Sequence, residues 1–290
     1  MILIADSGST KTTWLCLGNE GVTTLGINPI RDNEETISKA IERGREALYN
    51  QSKESGKYSF LPQEIDHVYF YGAGCIPPYS TTVKRLIQRA YPNAKVSVES
   101  DMMGAALALC GHNEGIACIL GTGSNSCHFD GKKIINQTPA LGYILGDEGS
   151  GASLGKRLVG DILKKQLPTS IQESFYEETS LSQHEIIDRV YRQPMPNMFL
   201  ASLTPFLARH LDNSKVEALV VDEFRRFLRR NIKNYGRPEL AVHFVGGITA
   251  TFAKQLQKAI EKEGLILGQI MSHPIVGMEK YHLETCEKGI

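Results

Sequence analysis

Two stretches of the chain follow the same order of elements, and together they decide the fold. Residues 1–21 read MILIADSGSTKTTWLCLGNEG, and residues 115–134 read GIACILGTGSNSCHFDGKKI. Each is an apolar strand, a turn of glycine and hydroxyl residues, a second strand and a hairpin turn. The repetition, about 115 residues apart, predicts an α/β protein with a duplicated core.

The turn after Asp6 contains Lys11, but it is not a Walker loop, because no glycine directly precedes that lysine. A glycine-rich turn instead directs consecutive N–H groups into one concavity, which binds an anion such as phosphate. A carboxylate there repels phosphate unless a cation intervenes, so Asp6 predicts Mg²⁺ held through water. Either turn alone could merely connect strands. Two turns in register, with Gly246 and Gly247 as a third, favour a nucleotide site.

Periodicity extends this interpretation along the chain. Strands are expected in HVYFYG and KVSVES, and a third strand of the first hairpin at residues 22–27. Helices are expected over residues 33–53, 83–90, 102–110, 150–165, 185–192, 198–210, 216–232, 251–261 and 275–287. The repeat sets the predicted domains at 1–112 and 113–274, with the terminal helix, about 275–290, packing back on the first.

The composition excludes several classes of protein. Of 290 residues, 32 are Lys or Arg and 32 are Asp or Glu, which argues against nucleic-acid and membrane-surface partners. The basic stretch at residues 225–233 has apolar spacing and is expected to be a helix with a solvated face. The six cysteines lack metal or redox spacing, and with no signal peptide or membrane span expected, a reduced cytoplasmic compartment is predicted.

Several polar residues are candidates for substrate chemistry. Asp101 lies between a strand and a helix, where it could cap the helix or accept a proton from a substrate hydroxyl. Asp147 and Glu148 could favour the start of the following helix or hydrogen-bond a sugar. Asn28 could contact a sugar or simply form the turn before Pro29.

These residues resemble those of the sugar-kinase/actin/chaperone ATPase superfamily. Within it, the chain is similar to the BadF/BadG ATPase family, and especially to its N-acetylglucosamine kinase branch. The matching segments are DSGSTKT, ESDMMGAALAL, GTGSNS, GYILGDEGSG and FVGGIT, in family order over nearly the whole chain. The resemblance implies two ribonuclease H-like domains flanking a deep nucleotide and sugar cleft, with ATP and Mg²⁺ as cofactors, and it makes a homodimer plausible.

The resemblance also implies a role for each matched residue. Asp101 corresponds to the catalytic base, and Asp6 to the residue that holds Mg²⁺ through water. The expected sugar ligands are Asn28, Asp101, Thr122 and Asp147. The expected nucleotide ligands are Ser7, Gly8, Ser9, Thr10, Lys11 and Thr12 in the first loop, Gly121, Thr122, Gly123 and Ser124 in the second, and Gly246 and Gly247 beside adenosine.

The expected reaction is phosphorylation of an amino-sugar hydroxyl, most simply the 6-hydroxyl of N-acetylglucosamine. Human-type N-acetylglucosamine kinases place tryptophans where this chain reads NPIRDN and GYILGDEGS, so N-acetylmuramate, glucosamine and an anhydro sugar stay open as acceptors. Two other classes of protein are alternatives. A redox-coupled ATPase activator would need cysteines in a cluster-bridging pattern, and a sugar-sensing regulator would need a DNA-binding module.

Overall fold

The computed structural model describes residues 1–8, 10–56, 58 and 60–288, and the chain divides into two compact units. Unit 1 comprises Met1–His112 together with the C-terminal residues from Pro274 onward, and unit 2 comprises Asn113–His273. Each unit is built on one five-stranded sheet.

Over its described residues, unit 1 contains five strands and four α-helices. The strands are β1 (Ile2–Ser7), β2 (Lys11–Cys16), β3 (Val22–Leu25), β4 (His67–Gly72) and β5 (Lys95–Ser100), and the helices are α1 (Glu34–Ser55), α2 (Tyr79–Ala90), α3 (Asp101–Cys110) and α13 (Ile275–Lys288). The sheet order is β3-β2-β1-β4-β5. Antiparallel pairing joins the first three strands, whereas β1, β4 and β5 run parallel.

Unit 2 repeats the same plan with more helices. Its strands are β6 (Glu114–Leu120), β7 (Ser124–Asp130), β8 (Ile134–Gln137), β9 (Ala241–Val245) and β10 (Ile266–Met271). Its helices are α4 (Gly142–Leu145), α5 (Gly151–Leu163), α6 (Thr169–Thr179), α7 (Gln183–Tyr191), α8 (Pro196–Ala201), α9 (Thr204–Arg209), α10 (Ser214–Phe227), α11 (Gly247–Thr251) and α12 (Ala253–Glu263). A π-helical turn, Leu228–Ile232, extends α10.

The two sheets have the same topology. In the second sheet the order is β10-β9-β6-β7-β8, with β6, β7 and β8 antiparallel and β6, β9 and β10 parallel. Strand for strand, this matches the order and directions of the first sheet. The predicted α/β class with a duplicated core is therefore confirmed.

The core of unit 1 forms around Trp14, which is fully buried in β2. Its indole Nε1 donates to Thr24 Oγ1 at 2.8 Å, which satisfies the ring's polar atom. Helix α1 crosses close to this ring because Gly44 has no side chain: a Cβ there would lie 2.6 Å from the indole. Burial of large apolar side chains of this kind is the main stabilising contribution to such a unit.

Two details of the predicted helices were wrong. Residues 198–210 form not one helix but α8 and α9, because Pro205 lies within the first turn of α9 and cannot continue a helix. Helix α6 was not predicted at all. By contrast, the predicted capping box at the start of α7 is confirmed, since Ser182 and Glu185 bond each other's backbone N–H groups.

Helix α13 packs on α3 within unit 1. The contact is close because both helices carry glycine at it: a Cβ on Gly277 would lie 2.4 Å from the Ala108 carbonyl oxygen, and one on Gly104 would lie 2.4 Å from Met278 Cε. The C-terminal segment thus belongs to the same compact unit as the first strand. None of the described helices combines the length and apolarity that a membrane span requires.

Candidate active site

The first loop connects β1 to β2 and rests on a glycine that the sequence did not single out. Gly8 N donates to Lys11 O at 2.9 Å, and Gly26 N donates to Thr10 O at 3.1 Å. A Cβ on Gly26 would lie 2.4 Å from Gly8 O and 2.8 Å from two backbone nitrogens of the loop. Only glycine fits under the loop at this position. In the sequence, the role of Gly26 is indicated only by its position directly before Ile27 and Asn28.

Ser7 and Thr12 were predicted as phosphate ligands, but their side chains are fully buried. Ser7 Oγ accepts from Ile27 N at 2.9 Å and shares a 2.7 Å hydrogen bond with Thr12 Oγ1. The Thr12 hydroxyl lies 3.0 Å from the Leu25 carbonyl and donates to it. These hydroxyls therefore fasten the loop to β3 and the segment after it, and they are not exposed to a ligand.

Thr10 and Lys11 are exposed and Gly8 is half-exposed, so the loop keeps three of its predicted ligands in reach of solvent. Ser9, also predicted, lies outside the described residues. The loop presents a lysine ammonium and backbone groups to an anion, as a phosphate-binding turn does.

Asp6 and Asp101 stand at the carboxyl edge of the unit 1 sheet. The parallel strands β1, β4 and β5 end in one row of paired residues, Ser7, Gly72 and Ser100. Asp6 directly precedes this row on β1, and Asp101 directly follows it after β5. Burial, and to a smaller extent the charge of Asp101, raise the pKa of Asp6 to about 7, although the charge of Lys11 lowers it. Burial likewise raises the pKa of Asp101.

Asp101 is the first residue of α3 and not its cap. The cap is Ser100, whose side chain accepts from Met103 N, so the helix-cap interpretation of Asp101 is wrong. Asp101 Oδ1 accepts from Met102 N at 2.9 Å, whereas Oδ2 takes no hydrogen bond from the described residues. One carboxylate oxygen is thus oriented by the helix start and the other is available to a substrate.

The acidic pair is a donor set that fits a magnesium ion. Carboxylate oxygens are the hard ligands that Mg²⁺ prefers, and Mg²⁺ is commonly bound by one or two carboxylates together with water and phosphate. Within the described parts of the chain, no group of three or more His, Cys, Asp or Glu side chains could hold a metal alone. Two half-buried carboxylates that repel each other are a donor set that a divalent cation would stabilise.

Asn28 also belongs to unit 1, in the turn that follows Gly26. Its Oδ1 accepts from Ile30 N at 3.1 Å, and its backbone N–H donates to Asp32 Oδ2 at 2.9 Å. Gly74 lies against the side chain, since a Cβ there would be 2.4 Å from Asn28 Oδ1. The side-chain oxygen is thereby fixed, while the amide NH₂ donates to no described residue and can serve a ligand.

The second loop, between β6 and β7, belongs to unit 2. Gly121 N donates to Gly123 O at 2.9 Å, and the carbonyls of Gly121 and Thr122 accept from Gly151 N and Ala152 N at 2.8 and 3.1 Å. The first N–H groups of α5 therefore hold the loop through the loop's carbonyl oxygens. Among the described residues, the N–H groups of Thr122 and Gly123 have no partner, as an anion-binding nest requires.

Asp147 meets this loop. Its Oδ1 accepts from Ser124 N at 3.2 Å, and a Cβ on Gly123 would lie 3.1 Å from its Oδ2. Burial raises the pKa of Asp147. The residue has a φ of 56°, a left-handed conformation that non-glycine residues adopt only rarely. It faces a pocket of about 430 Å³ lined in part by Asn125 and Asn231.

Gly246 and Gly247 follow β9 in unit 2. Gly246 has a φ of 129°, and a Cβ there would lie 2.2 Å from Leu120 O, so the turn packs directly on the end of β6. Gly247 is exposed, with no atom near its missing side chain. The open backbone at Gly247 leaves room for a flat ligand.

Comparison with known proteins shows what the chain as a whole is similar to. No protein-family model and no curated protein matches the chain. The crystal structure of a "putative N-acetylglucosamine kinase" from Porphyromonas gingivalis is 44% identical, with a TM-score of 0.91 over 99% of this chain and 100% of that one. A protein from Chromobacterium violaceum with the same description is 18% identical, with a TM-score of 0.65 over 97% and 98% of the two chains, which shows the same fold.

The duplicated sheets and the full-length match define the class as that of the sugar kinases. More particularly, the chain belongs to the family of the Porphyromonas gingivalis protein, because it matches that protein along its full length.

Proposed function

We propose that this chain, an ATP-dependent sugar kinase by its family, phosphorylates an amino sugar, with the 6-hydroxyl of N-acetylglucosamine as the favoured acceptor. The observation that carries the proposal is the full-length relationship, at 44% identity, to a protein described as an N-acetylglucosamine kinase. The BadF/BadG assignment, a homodimer and a cytoplasmic location stay predictions of the resemblance.

Asp101 is proposed as the general base. In the reaction, the acceptor oxygen forms a bond to the γ-phosphorus while the bond between that phosphorus and the bridging oxygen of ADP breaks. The hydroxyl proton passes to Asp101 Oδ2, the oxygen that the start of α3 leaves available. The raised pKa of Asp101 makes the carboxylate a better proton acceptor than an ordinary exposed aspartate.

Asp6 is proposed to hold Mg²⁺ through water. A bound magnesium ion would neutralise the charge on the β- and γ-phosphates as the phosphoryl group moves. The Asp6 carboxylate is suited to this because Asp101 already disfavours its negative charge, and a nearby cation reverses that cost.

Phosphate-binding roles are proposed for both loops. In unit 1, Gly8, Thr10 and Lys11 face solvent and would bind phosphate oxygens; Ser9 keeps its predicted role. In unit 2, the proposed phosphate ligands are Gly121, Thr122, Gly123 and Ser124, and Gly246 and Gly247 would lie against adenosine. Preorganised N–H donors of this kind stabilise charge without rearranging during the reaction.

Asn28, Thr122 and Asp147 are proposed as acceptor ligands. Asn28 offers an amide donor whose orientation is already set, and Asp147 offers a carboxylate beside the second loop. A redox-coupled ATPase activator is less well supported, because five of the six cysteines are buried and so cannot bridge a cluster between subunits.

A test is ADP release from ATP and Mg²⁺ in the presence of N-acetylglucosamine, N-acetylmuramate, glucosamine or glucose, with no sugar as the reference. We expect the highest kcat/KM with N-acetylglucosamine. Equal ADP release with and without every sugar would contradict the proposal and favour an ATPase.

A further inference from the structure

Glu148, next to the proposed sugar ligand Asp147, neither lies at the helix start nor faces the pocket as a free acid. It is 3% exposed, and its Oε1 accepts from Arg230 Nε at 2.6 Å. Asn231 Nδ2 donates to its Oε2 at 3.4 Å, and Arg226 lies 3.9 Å away. The side chain is therefore tied to α10 and its π-helical turn, 82 residues along the chain.

Gly149 is tied to the same helix through its backbone. Its N–H donates to Glu223 Oε1 at 3.2 Å, and a Cβ at this position would lie 2.9 Å from Phe227 Cβ. Glu223 is fully buried and also accepts from Ser153 Oγ at 2.6 Å and pairs with Arg157 at 3.2 Å. Two consecutive residues after Asp147 are thus anchored to one helix.

The basic stretch that was expected to be a solvated face has two structural roles. Arg226 and Arg230 are four residues apart and reach Glu148, whereas the neighbouring face of the helix carries Arg225, Arg229 and Lys233, which all bond Glu263. The same helix end also holds the segment before α4, because Thr138 Oγ1 donates to Asn231 O at 2.8 Å.

Asp147 needs such anchoring because its left-handed backbone is unfavourable for a residue with a side chain. Among the described residues, its carboxylate accepts one hydrogen bond, from Ser124 N at 3.2 Å, which is at the long end of the usual range. The residues that follow it, held by Glu223 and Arg230, keep the segment in place.

We propose that Arg230 is a positioning residue for the acceptor site: its ion pair with Glu148 holds the Asp147 carboxylate in the orientation that binds the sugar. This rests on the proposed role of Asp147. Arg230 acts through Glu148, and its own guanidinium need not touch the acceptor.

The test compares Arg230→Gln with Arg229→Gln, a matched control on the same helix that loses an ion pair to Glu263 instead. Their exposures are close, at 57% and 53% of the side chain. We expect Arg230→Gln to raise the KM for N-acetylglucosamine about tenfold, with kcat and the KM for ATP little changed and Arg230→Lys recovering most of the loss. Arg229→Gln should leave all three constants near those of the wild type.

Glu148→Gln and the double variant Glu148→Gln/Arg230→Gln complete a double-mutant cycle. If Arg230→Gln does not fold, the acceptor KM of Glu148→Gln is the test. If Arg230 acts through Glu148, the double variant has the same acceptor KM as either single variant. Additive effects would mean direct contact between Arg230 and the sugar and would overturn the inference, as would equal effects of Arg229→Gln and Arg230→Gln. Failure of the proposed function would be distinct, because no sugar would then increase ADP release, whereas failure of the proposed role of Asp147 alone would leave the acceptor KM unchanged in Asp147→Asn.

Discussion

Asp6 and Asp101 lie at the carboxyl edge of one parallel sheet, where burial, with a smaller contribution from the charge of Asp101, raises the pKa of Asp6 to about 7. Two neighbouring buried carboxylates disfavour each other's negative charge unless a cation or a proton neutralises it. Neither has an ion-pair partner within hydrogen-bonding distance among the described residues, although Lys11 opposes the shift of Asp6. The arrangement is expected at a site that binds a metal-nucleotide complex and takes up a proton, and it is the basis of the first prediction.

Replacing Asp101 by Asn removes the proton acceptor but keeps the size of the side chain. We expect kcat to fall by roughly 10²–10⁴, while the dissociation constant for the sugar, measured by calorimetry, changes far less. Glu99→Gln is the control, because Glu99 is an exposed acid two residues earlier on β5. A variant at Asp101 with near-normal turnover would remove the residue from its proposed role.

Gly26→Ala should damage the first loop specifically. The added methyl group would press on the loop backbone, 2.4 Å from Gly8 O, and backbone atoms cannot move aside cheaply. We expect the KM for ATP to rise at least about tenfold, with a loss of stability of roughly 1–3 kcal/mol.

Gly160→Ala is the matched control for this variant, because it lies in α5 with open space around the missing side chain. It should be neutral or slightly stabilising. If Gly26→Ala behaves like Gly160→Ala in both assays, the loop does not depend on Gly26.

Asn28→Asp keeps the oxygen that accepts from Ile30 N but removes the two N–H donors. The lost donation to the acceptor should raise its KM about tenfold and leave the KM for ATP unchanged. Asn19→Asp, in the turn after β2, is the comparison for an added charge. Equal acceptor KM values for the two variants would argue against a sugar contact at Asn28.

His282 predicts how unit 1 responds to acid. This buried residue of α13 lies 3.0 Å from Tyr71 Oη and packs against Tyr69 and Tyr281. Burial lowers its pKa from 6.5 to about 4. Between these values the unfolded chain binds more protons, so the free energy of unfolding should fall as the pH drops below 6.5 and continue to fall until about 4.

Urea unfolding followed by the fluorescence of Trp14, the single tryptophan, reports on unit 1. We expect the wild type to lose about 2 kcal/mol more than His282→Gln between pH 7.5 and pH 5. Parallel pH dependence of the two proteins would show that His282 is not the group responsible.

The sheet topology could be predicted because its signals are local. Alternating strands joined by short turns specify a hairpin within about 20 residues, and the repetition of that hairpin indicated the duplication. The start of α7 was equally local, since Ser182 and Glu185 are three residues apart. Such features depend on near neighbours, which a sequence shows directly.

The functional details depended on distant partners and were harder to predict. Ser7 and Thr12 look like phosphate ligands in sequence, but their hydroxyls are used by Leu25 and Ile27. The pairing of Glu148 with Arg230 spans 82 residues, and nothing in either segment indicates the other. Composition could show that charges balance, but not which acid each arginine neutralises.

The central claim is that the chain moves a phosphoryl group from ATP to the 6-hydroxyl of an amino sugar. The direct measurement is two-dimensional ¹H–³¹P NMR of the product formed from N-acetylglucosamine, ATP and Mg²⁺ by the wild-type protein. The account predicts a phosphorus resonance correlated with the two protons on C6. Correlation with another ring proton would contradict the position, and release of inorganic phosphate with unmodified sugar would contradict the kinase activity itself.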